Sequence, residues 1–326
     1  MKAKATLHCS LTAALVSAAL TVTVTVHADD FGSGGNAFTI DFVTIGNPGN
    51  PVDTGTTGSY FSSYGAVSTA FQMGTYEISE DMITKANTLG GLLISKDTRG
   101  VNKAATGVSW NEAARFVNWL NTSQGFAAAY KFTLQPGAGG YTGNENLVLW
   151  TVSDAGYDAG NLYRNTNARY VLPSENEWYK AAFYSGSGTT YYDYATGSDT
   201  IPTAVASGTG AGTAVYSGQP GPADITQAGG LSPYGTMGQD GNVWEWNESA
   251  FTAPNDSATE GRAFRGGYWD DSGGGLRASG RLTGAPSGGD AGVGFRVASV
   301  PEPSSTMLIL SASLVALARR RRRAAL

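Results

Sequence analysis

Cys9, His8 and His27, the chain's whole complement of cysteine and histidine, all fall within the first 28 of 326 residues. Lys2 and Lys4 open the sequence, and an uncharged, largely apolar run extends from Leu11 to Val26. Val26-His27-Ala28 then forms a small-residue cleavage pattern ahead of Asp29-Asp30. This reads as a secretory signal peptide over residues 1–28, cut after Ala28. The remaining chain has neither thiol nor imidazole. It cannot be stapled by disulfides, organised around zinc, or driven by a Ser-His or Cys-His relay. What holds it must be a packed core, and with 45 glycines, 16 tyrosines and 7 tryptophans that core has to sit among many turns.

The other end has its own pattern. Val300-Pro301-Glu302-Pro303-Ser304 leads into an apolar stretch from Thr306 to Ala318, followed by Arg319 to Arg323. Thirteen helical residues would span only about 20 Å of a hydrocarbon core roughly 30 Å thick, and the arginines would stay on the cytoplasmic side. This order of parts resembles the PEP-CTERM sorting signal. The resemblance implies exosortase-type sorting machinery as a partner and a transient or retained inner-membrane anchor. It also implies delivery to the periplasm, cell surface or extracellular matrix. Of the 21 Lys and Arg, Lys2, Lys4 and Arg319 to Arg323 lie in these ends, leaving 14 against 26 Asp and Glu between Asp29 and Ala318, a formal charge of −12. A body so acidic repels nucleic acid and favours cations and neutral sugars.

Between the ends, residues 29–37 are rich in Gly, Asp and Asn and read as a loose linker, 38–300 as one domain, and 301–326 as the sorting segment. Phe38-Thr39-Ile40-Asp41-Phe42 alternates with period two and predicts a strand, as does Phe71 to Ile78. Ser109-Trp110-Asn111-Glu112 and Ser174-Glu175-Asn176-Glu177 are both capping boxes that predict helices. Trp110, Ala113, Ala114, Val117 and Leu120 share a face in the first, as do Trp178, Ala181 and Ala182 in the second. A further helix is expected from Ser79, where Glu80 and Asp81 favour its positive end. Capping also accounts for Glu112 and Glu177, which would otherwise suggest an acid/base pair. The expected class is α+β with little regular secondary structure.

Six segments in order carry a resemblance: Met73 to Ser79, Gly107 to Ala113, Leu172 to Trp178, Gly241-Asn242-Val243-Trp244-Glu245-Trp246, Arg265 to Trp269 and Gly292 to Arg296. They resemble the formylglycine-generating-enzyme family, or sulfatase-modifying-factor domain, an irregular variant of the C-type lectin fold. The family's oxidases use copper and two cysteines. The corresponding stretch, Tyr268 to Val293, has none, with Gly273 and Ala278 standing roughly where the thiols would be. Copper is therefore not expected, since Cu(I) needs soft sulfur ligands. Another branch uses iron and a histidine triad, for which the exported chain has no histidine.

The family's Gly-Asn-x-Trp-Glu motif implies a calcium site on the carbonyls of Gly241 and Val243 and the carboxylate of Glu245, ligands hard enough for that ion. Gly238 stands where the family has Asp or Asn, with Asp240 two residues on, and a purely structural Glu245 is the other reading. The segment lining the family's cleft makes Tyr268, Trp269, Asp270 and Arg281 the ligand-cleft candidates, and no residue is assigned as catalytic. The expected function is a secreted, surface-sorted, non-catalytic binding or structural module whose ligand is polysaccharide or peptide. The alternatives are a formylglycine-type protein-modifying oxidase and a hydrolase working through Asp270, Asp271 or Glu245.

Overall fold

The computed structural model describes residues 26–55 and 63–300. Three helices form where the capping signals place them. Helix α1 (Glu80–Gly90) begins as the Ser79 hydroxyl accepts from the Met82 amide, and ends at Gly91 in the left-handed region. Helices α2 (Trp110–Ser123) and α3 (Glu175–Phe183) both start with complete capping boxes, on Ser109 with Glu112 and on Ser174 with Glu177. The predicted apolar faces are the buried ones: Trp110, Ala113, Ala114, Val117 and Leu120 on α2, and Trp178, Ala181 and Ala182 on α3.

The larger sheet has five strands, ordered Val26–Phe31, Phe38–Ile45, Phe71–Gly74, Ala298–Ser299 and Tyr170–Val171, all antiparallel to their neighbours. The alternation seen in the sequence puts Phe38, Ile40 and Phe42 into the core. The third strand stops at Gly74, short of Ile78. There the Gly74 and Thr75 amides turn to the carbonyls of Val297 and Asp41, and the chain heads for the α1 cap. The second sheet is ordered Leu282–Gly284, Arg262–Arg265, Trp244–Ala250 and Val293–Gly294, with only the last pair parallel. Its Trp244–Ala250 strand is buried at every residue except Ser249 and packs against α3, while α2 packs on Tyr170–Val171. The remaining chain is turns and bridges, the irregular α+β architecture expected of a C-type-lectin-like fold.

The expected linker over 29–37 is corrected by the structure. Asp29, Asp30 and Phe31 pair with Ile40, Thr39 and Phe38, and Gly34–Asn36 is a single 3-10 turn. Phe31 is buried against Phe38 and Tyr170, and Asp29 accepts from the Tyr170 hydroxyl at 2.8 Å. A polar composition hid one core aromatic and one buried acceptor. Val26, His27 and Ala28, expected to leave with the signal peptide, extend the same strand opposite Val43, Phe42 and Asp41. The rest of the signal and the sorting segment lie outside the described residues.

Candidate functional site

Gly241 and Asn242 both sit in the left-handed region, at φ 76 and φ 61. A Cβ on Gly241 would lie 2.2 Å from the Val215 carbonyl oxygen, so only glycine fits. Asn242 then ties three segments together. Its amide donates to the Val215 carbonyl at 2.8 Å, and its carbonyl accepts from the Trp269 amide at 3.1 Å. Its side chain accepts from the Ala223 amide and donates to Glu77, both at 2.8 Å. The residue entered the sequence reading only as part of a motif, yet it seats the Trp269 loop.

Three residues further on, Glu245 is fully buried and its carboxylate is taken. Arg296 holds it in a two-point clamp, Nε to Oε2 and Nη2 to Oε1, both 2.6 Å, and the Trp178 indole N–H donates to Oε2 at 2.7 Å. Arg296 also donates to the carbonyls of Gly74 at 2.9 Å, Thr75 at 3.2 Å and Met237 at 2.7 Å. The residues present do not fit the implied calcium, because a cation at Glu245 would have to displace a buried guanidinium that already neutralises it. Among the described residues no cluster of three or more His, Cys, Asp and Glu side chains has metal-site geometry. Glu245 is equally unsuited to a hydrolase.

Beside this clamp lies Glu77, 1% exposed. Burial and the Glu245 charge push its carboxyl up to about 8, so it carries a proton at neutral pH. Burial likewise pushes Asp240 up to about 7. Glu175, Glu177 and Glu248 have cationic partners. Glu175 is held by Arg265 at 2.7 Å and by Arg281 at 2.6 and 2.9 Å. Arg164 bridges Glu177 at 2.8 and 2.9 Å to Glu248 at 2.8 Å.

The cleft candidates separate. Tyr268 and Trp269 meet edge to face at 5.0 Å, and burial, then Asp270 and Asp271, pushes the Tyr268 phenol up. Trp269 is not an open stacking platform: it is 7% exposed, and the Arg99 guanidinium lies 4.7 Å over its ring. Arg99 also lines, with Lys103 and Pro220 to Pro222, an open cavity of about 440 Å³. Asp270 is exposed, whereas Asp271 accepts from the Tyr268 amide at 3.1 Å. Arg281 belongs elsewhere: it pairs with Glu175, donates to the Phe251 carbonyl at 2.7 Å and stacks 3.9 Å from the Phe251 ring.

The two positions matching the family's thiols hold a glycine and a buried alanine. A Cβ at Gly273 would fall 2.0 Å from Cδ1 of Ile201. Ala278 is 5% exposed, with its amide bound to the Asp193 carbonyl and its carbonyl accepting from Arg265, both at 2.8 Å.

Residues 61–300 match the model of the sulfatase-modifying factor enzyme 1-like domain, and the chain belongs to that family. Residues 299–323 match the PEP-CTERM protein-sorting motif, which marks the protein for export and cell-surface sorting through exosortase-type recognition. No helix among the described residues is long and apolar enough to cross a membrane. A search of curated proteins gives no match. Among solved structures, Treponema denticola variable protein 1 superposes with a TM-score of 0.59 at 17% identity, covering 84% of this chain and 99% of that one. CarF gives 0.57 at 21% identity over 81% and 99% of the two chains. PvdO from Pseudomonas aeruginosa gives 0.50 at 17% identity over 84% and 98%. At these identities the likeness is one of fold.

Proposed function

We propose that this protein is a surface-sorted, non-catalytic binding module on the sulfatase-modifying-factor scaffold. Residues 273 and 278 carry the reading: glycine and alanine stand roughly where the family's oxidases have their two cysteines. Buried Ala278 offers no replacement nucleophile. The ligand side of the module is the groove lined by Arg99, Lys103 and Pro220 to Pro222, with Arg99 stacked on Trp269, which meets Tyr268; its charged groups suit polysaccharide or peptide. A signal peptide removed after Ala28 and residence in the envelope or extracellular matrix complete the proposal.

Incubating the protein and a Cys-x-Pro-x-Arg peptide with copper tests the non-catalytic part, and mass spectrometry should find the cysteine unchanged. Conversion to formylglycine would overturn it. A glycan and peptide array of the full chain tests the binding part. Binding there should fall at least tenfold on Arg99→Ala, and an empty array or an unaffected variant would sink it.

A further inference from the structure

Arg115 is the one arginine among the described residues whose guanidinium hydrogen-bonds nothing on the chain. It lies in the second turn of α2, is 2% exposed, and its Nε and Nη2 are buried without a partner. Arg265 and Arg296 hold carboxylates, and Arg262, whose Nε and Nη2 also lack a partner, still donates through Nη1 to the Glu248 carbonyl and Asn255 and stacks 4.6 Å from Trp110 and 4.2 Å from Tyr163. Arg115 has only the Phe132 ring, at 5.9 Å. Nearby carboxylates have donors of their own. Each Glu112 oxygen accepts from the amide and hydroxyl of one serine, Ser95 or Ser109, at 2.6 to 2.8 Å. Glu145 is filled by Thr142 and Gly143. A buried cation left without an anion is costly to the fold unless something else supplies the charge.

What Arg115 faces is open space of two kinds. It lines a polar cavity of about 190 Å³ together with Asn111, Asn144, Asn146 and Ser287, and with the Glu112 carboxylate, whose oxygens Ser95 and Ser109 already occupy. The Oδ1 of Asn111 is itself buried without a donor. It also lines a cavity of about 300 Å³ walled by Leu92, Trp119 and Pro136. Leu93, left-handed at φ 55 and 58% exposed, stands at the rim against Gly143. The two cavities share only Arg115; in the polar one the side-chain amides and a hydroxyl suit a polyol, and the guanidinium suits a carboxylate.

We infer that Arg115 anchors a binding site for an acidic sugar, its carboxylate paired with the guanidinium and its hydroxyls with Asn111, Asn144 and Asn146. The site is distinct in its residues from the groove at Arg99 and does not depend on the reading given for it.

Calorimetric titration of the full chain with sodium glucuronate, glucose, acetate and sulfate tests the assignment. Glucuronate should bind at least tenfold tighter than each of the other three, and Arg115→Met should abolish that preference. Should Arg115→Met fail to fold, the exposed pair Asn144→Ala with Asn146→Ala should weaken glucuronate several-fold at unchanged Tm. Equal binding of glucose shows that no charge is read, and equal binding of acetate or sulfate shows a plain anion site. Either result, or glucuronate affinity untouched by these variants, overturns the inference.

Discussion

Glu245 is tolerable in the interior only because Arg296 meets it at two points, so deleting either partner strands a charge. Arg296→Met should destabilise the protein by about 3–5 kcal/mol in urea unfolding. Glu77 sets a different signature. Its carboxyl loses its proton in the unfolded chain near the ordinary value but keeps it when folded up to about 8, and Asp240 does the same up to about 7. The native state therefore binds more protons than the unfolded state across that window, and stability falls as pH rises through it. The unfolding free energy read from urea melts should drop between about pH 5 and pH 8 by an amount on the order of a few kcal/mol, and Glu77→Gln should flatten the drop. Little of this was legible in the sequence. Glu245 stood out, but a motif cannot say which of nine body arginines, 51 positions away in this instance, closes on a carboxylate. Arg281 misled for the same reason, since only the fold puts it on Glu175.

At the level of elements, the capping boxes were legible because the whole signal lies within four residues. Ser109→Ala and Ser174→Ala should each lower stability by about 1 kcal/mol, read as a shift in urea midpoint at constant slope. The strand at Phe38 was legible through its alternation. The strand before it was not, because Asp29 and Asp30 face outward or to Tyr170 and only Phe31 marks the core. Strands of two or three residues such as Tyr170–Val171, Val293–Gly294 and Ala298–Ser299 carry no period at all. Partners far away in sequence create them.

For the molecule as a whole, the acidic balance is milder outside than the formal charge states, because among the described residues eight acids (Glu77, Glu80, Glu112, Glu145, Glu175, Asp240, Glu245 and Glu248) are buried against five cations (Arg115, Lys180, Arg262, Arg265 and Arg296). Ala298–Ser299 has a wider effect. It lies between Phe71–Gly74 and Tyr170–Val171, so the larger sheet stays in two pieces until the domain's last residues arrive. If the proposed signal peptide leads export, the chain should therefore remain incompletely folded until residues 293–299 emerge. Truncation after residue 292 should give a protease-sensitive product without a cooperative melt, whereas truncation after 300 should melt like the whole domain. Sheet closure thus acts as a completion check, finished just as the sorting motif at 299–323 comes into reach.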